Sequence, residues 1–337
     1  VVDGFARRAE RVSTPVLLQV MTHFRRRDEP ADLRVFFPKG EVGKLFGTTQ
    51  ALPALAPGLA LELAAICERA LLKRFAALLA LLLVYLDPGL KNYLVPFSRR
   101  SASKSLRTLA RGSRLALPEG GTLRFFVWWK NGRGRADIDL SAVMYSAQYG
   151  YISALTYYNL KDFGGHHSGD IVDAPHGASE FIDVDLALCR ARGVRFVVMT
   201  LNSFTEQPFC DLPECFAGWM SRQAPASGEI YEPKTVVDKV DIASNTRICA
   251  PVIFDLERGE AIWADVAVTN HAIYQNNVAA NLTGLSLMLR AMTDLRKTDL
   301  YTLFDLHIRA RGAPAADRES AQTVFAVDAG LTPFDLE

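Results

Sequence analysis

Apolar and polar positions change period twice along this chain. Between Ser13 and Arg27, STPVLLQVMTHFRRR places Val16, Val20 and His23 at helical spacing behind a cap-like Ser13 or Thr14 and a proline suited to the first turn. It closes on three arginines that suit a helix C-terminus. LRVFF (33–37) reads as a strand, and LALELAAICERALLKRFAALL (59–79) as a long helix. VYLDPGLKNYLVPF (84–97) then reads as two short strands around a Pro-Gly turn. The longest apolar run, Phe75 to Leu86, falls short of the roughly 20 residues a spanning helix needs. It is assigned to the core, and no transmembrane segment is expected.

From about residue 122 the period becomes that of strands. TLRFFVWWK, DIDLSAVMYS, ISALTYYNL, FIDVDL, VRFVVMTL, TRICAPVIFDL and AIWADVAV are short segments rich in Val, Ile, Phe, Tyr and Trp, separated by Gly, Asn, Pro and Asp turns. That texture predicts a β-sandwich. Trp128 and Trp129 fall on opposite faces of their strand, so at most one belongs to the core. After Asn270 the helical period returns in LTGLSLMLRAMTDL (282–295) and DLYTLFDLHIRARG (299–312), whose final Gly312 suits a C-cap. The last residues are weakly patterned and read as a tail. The expected chain is therefore mainly β: an N-terminal α/β extension (1–104), a β-sandwich (105–270), and a C-terminal helical element with its tail (271–337).

Charge adds what hydropathy omits. The formal net charge is +1, which asks for neither nucleic acid nor an anionic surface, but its distribution is uneven. From Ser98 to Arg135 ten Lys and Arg residues stand against one acid, Glu119; from Ala136 to Leu186 eight acids stand against one base, Lys161. Five cysteines spread over 337 residues do not resemble a disulfide framework, so a reducing compartment is expected. The opening VVDGFARRAE has neither a leader pattern nor a methionine, which allows a piece of a longer protein.

The acids carry the candidate chemistry. In a strand i and i+2 share a face, so Asp137 and Asp139 project together, as do Asp183 and Asp185, while Ile138, Leu140, Ile182, Val184 and Leu186 turn to the core. Asp170, Asp173 and Glu180 lie in the loop sequence between the two pairs. Left bare, such carboxylates repel one another, by about 1 kcal/mol at ~4 Å in water and several times that near protein. Calcium, with its oxygen ligands and flexible geometry, resolves the repulsion. Zinc fits less well, although His166, His167 and His176 are close in sequence. The plain alternative is a solvated acidic face neutralised by the arginine-rich block.

GRADIDLSAVMYS (134–146), YYNLK (157–161), HSGD (167–170), SEFIDVDL (179–186) and VRFVVMTL (194–201), in that order, resemble the TerD family of bacterial tellurium-resistance and stress-response proteins. The match spans residues 105 to 270, about half the chain. The resemblance implies a TerD-like calcium-binding β-sandwich, with Asp137 and Asp139 as ligands from the acidic strand, Asp170 as the last residue of HSGD and Glu180 as the loop glutamate. Asp173, Asp183 and Asp185 complete the candidate metal set as ligands or neighbours. Ser141 stands where the family pattern carries a further acid, which points to weaker or single-site binding. The implied role is a non-enzymatic, cytoplasmic binding or scaffold component of a tellurite or chemical stress response, with other stress-response proteins as partners.

The competing reading is a metal-assisted phosphate, nucleotide or RNA-binding module whose affinity comes from Arg99, Arg100, Lys104, Arg107, Arg111 and Arg114, because clustered arginine grips phosphate. Other patterns are weaker. PKGEVGKLFG (38–47) fails the phosphate-loop spacing. CDLPEC (210–215) lacks a second cysteine pair and reads as a loop with buried thiols. Ser168 beside His167 is not a nucleophile elbow, and no enzyme activity is expected.

Overall fold

The computed structural model describes residues 2–29, 33–37, 46–97, 103–105, 109–117, 120–229, 231–267 and 278–328, with the backbone alone at 103–105 and 278–281. The chain begins with α1 (Val2–Ala6) and α2 (Thr14–Arg25), then the hairpin β1 (Arg34–Phe36) and β2 (Phe46–Thr48), α3 (Leu59–Ala76) and β3 (Leu82–Leu86). Next come β4 (Ser103–Ser105), β5 (Arg114–Ala116), β6 (Thr122–Trp129), β7 (Ile138–Tyr145), β8 (Tyr151–Leu155), β9 (Lys161–Asp162), β10 (Gly165–His167) and β11 (Ala178–Asp185). After α4 (Leu186–Ala191) follow β12 (Phe196–Ser203), β13 (Cys215–Arg222), β14 (Val236–Ile242), β15 (Ile248–Asp255) and β16 (Glu260–Ala267). The chain closes with α5 (Val278–Thr293), α6 (Leu300–Arg311), β17 (Gly312–Pro314) and β18 (Thr323–Phe325).

These elements form two compact units, one from the described residues of 1–32, 49–97 and 296–337, the other from those of 33–48 and 98–295. The division differs from three consecutive segments. The chain's first and last parts share one core, while the β1–β2 hairpin and α5 belong with the sheets.

In the first unit α2, α3 and α6 bury a common stripe that includes Leu17, Met21, Ile66, Cys67, Leu71, Phe75 and Leu306. His307 stacks on Phe75 with ring centroids 3.8 Å apart. β3 is the central strand of a parallel three-stranded sheet in the order β17-β3-β18, so residues expected to form a tail instead supply both of its neighbours. The apolar run from Phe75 to Leu86 is not one core segment. α3 ends at Ala76, and only Phe75 and Val84 are fully buried, whereas Leu79 is 88% exposed and Leu78, Leu82 and Leu83 are also exposed. The second strand expected near Tyr93 reduces to a single bridge between Leu94 and Asp299, after a 3-10 turn capped by Asp87. Among the described residues no helix is long and apolar enough to cross a membrane.

The second unit is a mainly β sandwich. One sheet has the order β4-β14-β13-β6-β11-β10-β9 and the other β5-β16-β15-β12-β7-β8, with every pairing antiparallel. Phe125 of β6 stacks on Phe254 of β15, and Trp219 of β13 meets the same ring edge-on, which locates the core between the sheets. Trp129 lies in that core and donates its indole N–H to the Ala136 carbonyl at 3.0 Å. Trp128 faces the other way and stacks on Phe216. The outer face of the six-stranded sheet is buried as well: Val143, Tyr145, Phe196 and Val198 pack with Leu285, Met288, Leu289 and Met292 of α5. That cover explains why β7 is buried along its whole length.

Candidate metal centre

β7 starts at one end of the sandwich, where the loops 131–137, 156–160, 168–177 and 203–208 come together. Asn131 ties two of them. Its side-chain carbonyl accepts from the Ala136 and Ala174 N–H groups, both at 3.0 Å, and its amide donates to Asp173 Oδ1 at 2.7 Å. On the other side Phe204 N–H bonds the Asp137 carbonyl at 2.9 Å, and Gln207 donates to the Arg135 carbonyl at 2.9 Å.

Asp137, Asp139 and Asp170 meet here, each offering a carboxylate oxygen within 4.8 Å of the other two. The first two are buried and Asp170 is exposed. Among the described residues no Lys or Arg forms an ion pair with any of them. Asn202 donates to Asp139 Oδ2 at 3.0 Å. Burial nevertheless pushes the Asp139 carboxyl up to about 7, with Asp137 and Asp170 adding to the shift. Burial and then the Asp170 charge raise Asp137 in the same direction, partly offset by Arg135. Burial together with Asp139, Asp170 and Asp137 also raises the nearby Tyr157 phenol.

Glu180 lies beneath the cluster with a different task. β8 leaves the ladder at Thr156, which turns to bridge Asn159, so Leu140, paired with Leu201 of β12 on one side, has no β8 residue on the other. Glu180 Oε2 accepts the Leu140 N–H at 3.2 Å, and Oε1 accepts the Ile171 N–H at 2.9 Å. His167 completes the arrangement: Nε2 donates to the Leu140 carbonyl at 3.0 Å, and Nδ1 accepts from Gly169 N–H at 3.1 Å. These bonds require the neutral Nε2–H tautomer, in keeping with burial lowering the His167 pKa. Burial pushes Glu180 up to about 8 against the two amide hydrogen bonds, with Asp139 and Asp170 contributing. Both side chains thus fasten the loop carrying Asp170 to the strand carrying Asp139.

The other expected ligands lie elsewhere. Asp173 is held by Asn131 at the loop surface. Asp183 and Asp185 point out of the opposite sheet, because β11 turns Ile182 and Val184 inward. There Asp183 pairs bidentately with the Arg124 guanidinium at 2.6 and 2.7 Å, and Asp185 caps α4 by accepting from Leu188 N–H at 2.8 Å. The two aspartate pairs therefore leave the sandwich through different faces and cannot share one ion.

The remaining candidates are placed as follows. Arg111 pairs with Asp265, and Arg114 with Glu260 and the Thr293 carbonyl. Arg99, Arg100 and Arg107, the Lys104 side chain and residues 38–45 lie outside the described residues. Ser168 accepts the Phe181 N–H at 3.0 Å, while the neighbouring His167 ring is turned to the backbone. Cys215 is buried at the start of β13 and Cys210 is exposed, so CDLPEC is half a strand entry; all five thiols are free. His166 and His176 are exposed outside the carboxylate cluster. Asn131, Asn202 and His167 are the positioning residues that spacing alone does not single out. The only hint for Asn131 is its place in the turn sequence KNGRG.

The donor set suits a hard cation. Oxygens that share one calcium ion, at about 2.3–2.6 Å each, stand at most about 5 Å apart, and the three carboxylate oxygens all lie within 4.8 Å of one another. All three donors are carboxylates, with no thiol or imidazole among them, which disfavours zinc.

A scan against protein-family models and a search of curated proteins find no match. Among solved structures the chain is similar to SCO6318, a homologue of telluride resistance protein (TerD) from Streptomyces coelicolor A3(2), with 11% identity, TM-score 0.37, and coverage of 48% of this chain and 98% of that one. It is also similar to SAV2460, a protein of unknown function, with 14% identity, TM-score 0.35, and coverage of 45% of this chain and 94% of that one.

Proposed function

We propose that the sandwich is a calcium-binding module in which Asp137, Asp139 and Asp170 hold the ion, and that the protein acts as a non-enzymatic binding or scaffold component of a cytoplasmic response to tellurite or other chemical stress. The observation that carries the metal assignment is the convergence of three carboxylates with no base among the described residues in an ion pair with them. Leaving two of them buried and charged is unfavourable without a cation. Carboxylates supply part of the coordination sphere; loop carbonyls and water supply the rest. The stress-response role rests on the ordered resemblance of 134–201 to TerD motifs and on nothing in the geometry.

Calcium titration by calorimetry on chelator-stripped protein, with magnesium as competitor, tests the site. The expected result is saturable binding of one calcium per chain, selective over magnesium. Absence of calcium binding overturns the assignment. The phosphate-module reading gains nothing specific, since Arg111 and Arg114 are already engaged within the protein.

A further inference from the structure

The apolar run from Phe75 to Leu86 has no part in the carboxylate centre. A run of its length is too short to span a bilayer and ordinarily forms either a core helix or an interfacial segment. The fold removes the first of these. α3 stops at Ala76, and the loop from there into β3 leaves Leu78, Leu79, Leu82 and Leu83 exposed by 52%, 88%, 57% and 42%, with Ala76, Ala77 and Ala80 exposed among them. From Ala76 to Leu83 the sequence offers water no polar side chain.

The loop is nevertheless pinned. Leu78 N–H bonds the Phe75 carbonyl at 3.0 Å, and Leu81 N–H bonds the Arg311 carbonyl at 2.8 Å. Thr323 Oγ1 donates to the Leu81 carbonyl at 2.8 Å, and the Arg311 guanidinium donates to the Leu79 carbonyl. Gln322 answers both groups of Leu83, its N–H donating at 2.9 Å and its Oε1 accepting at 3.3 Å. Leu82, in register with Gly312, takes φ +61°, a left-handed conformation that is costly for leucine. The exposed leucines thus stand on a backbone whose polar groups are largely answered by β17, β18 and their connection. An apolar medium demands that, because it has no water to offer an unpaired amide or carbonyl.

We infer that the 76–83 loop inserts its leucines into the apolar boundary of a lipid bilayer, anchoring the chain at a membrane surface without spanning it. This anchoring is independent of the calcium centre. A second copy of the chain fits the loop less well. The four leucines expose on the order of 400 Å², short of the roughly 800 Å² that each partner contributes to a stable dimer. Protein interfaces also draw their energy from Trp, Tyr and Arg and are poor in Ala and Leu, the only residues of this segment. A bilayer needs only apolar area, with no shape to match. Charges around the loop have both signs: Lys73 in the last turn of α3 pairs with Glu10, and Asp317, Arg318 and Glu319 are exposed in the adjoining 315–322 connection. Lipid charge is therefore not selected.

The test is co-sedimentation of the whole chain with phosphatidylcholine vesicles in chelator, at low and at high salt, with analytical ultracentrifugation of the lipid-free chain. The expected result is sedimentation with phosphatidylcholine alone, unchanged by salt. The variant Leu78→Ser, Leu79→Ser, Leu82→Asn, Leu83→Ser should lose about tenfold or more in vesicle affinity; asparagine tolerates the left-handed position. Leu79→Ser alone, at the most exposed position, should lose about threefold with unchanged thermal unfolding. Leu79→Trp should add fluorescence that brominated lipid quenches, relative to the parent chain. No sedimentation of the parent chain overturns the insertion, as does sedimentation that needs phosphatidylserine and is reversed by salt. Undiminished sedimentation of both serine-bearing variants overturns it too. A dimer that the four-position variant dissolves, with no sedimentation on lipid, makes the loop an interface between copies and overturns the bilayer reading. Because every step is run in chelator, none of these outcomes bears on the carboxylate centre.

Discussion

The pattern Asp-x-Asp-Leu occurs twice in the sandwich, at Asp137–Leu140 on β7 and at Asp183–Leu186 on β11. In both places the apolar residues between and after the acids are buried and the acids share the opposite face. On β11 that face meets Arg124, stacked on Phe181 at 3.9 Å from the ring centroid and paired to both oxygens of Asp183. On β7 it meets Asp170 and an asparagine. The period of a strand decides which side chains travel together; the neighbouring elements decide whether their charge is answered from within the protein or left for something outside it.

The difference is broken most forcefully on the answered side. Asp183→Ala strands the nearly buried Arg124 without its carboxylate, and removing one partner of a buried pair costs about 3–5 kcal/mol. Urea unfolding should show a loss of that order, while the calcium isotherm keeps its stoichiometry and affinity. A calcium defect as large as the stability defect would return Asp183 to the metal site.

The unanswered side should behave in the reverse way. Asp137→Ala with Asp139→Ala removes two of three ligands and should reduce calcium affinity by about 100-fold or more, on the order of 3 kcal/mol. The chelated form should unfold no more easily than the parent chain, because the lost carboxylates were repelling one another. Unchanged calcium-dependent stabilisation in this double variant would sink the ligand assignment.

A smaller effect separates the two regions by pH. Glu180 and Asp139 titrate at about 8 and about 7 in the fold, above the ordinary carboxylate range, so in between the folded chain binds more protons than the unfolded one. Stability from these groups is then fully present below about pH 4 and is lost as pH rises through about 7 to 8. Chelated protein should melt at lower temperature at pH 8 than at pH 6, and calcium should offset the loss. Asp137→Ala with Asp139→Ala should flatten part of that slope. A melting temperature that climbs over the same range in chelator would contradict the burial of Glu180 as a proton-binding group.

Much of this was legible in the residues themselves. Alternation located β6, β7, β8, β11, β12, β15 and β16, and it paired Asp137 with Asp139 correctly. It did not locate β13, because FAGWMSR mixes a glycine and an arginine into a strand whose outer face meets Arg124 and a loop. Nor could it separate the two aspartate pairs, since sheet order is a property of pairing between distant strands and not of local period. Glu180 was found as a candidate ligand from its place in the motif. Its actual partners, the Leu140 and Ile171 amides, depend on where β8 ends, and a period cannot show that.

Asp185 offers the finest division between the two halves of the pattern. It keeps the spacing of Asp139 but sits at the last residue of its strand, where the chain turns into α4 and its carboxylate accepts the Leu188 N–H. A capping aspartate replaced by alanine typically costs about 1 kcal/mol, so Asp185→Ala should lower stability by that amount and Asp185→Asn or Asp185→Ser should restore most of it. Calcium affinity should be the same in all three variants. Rescue by serine, which cannot supply a carboxylate ligand, separates a helix cap from a metal ligand at a position whose sequence context fits both.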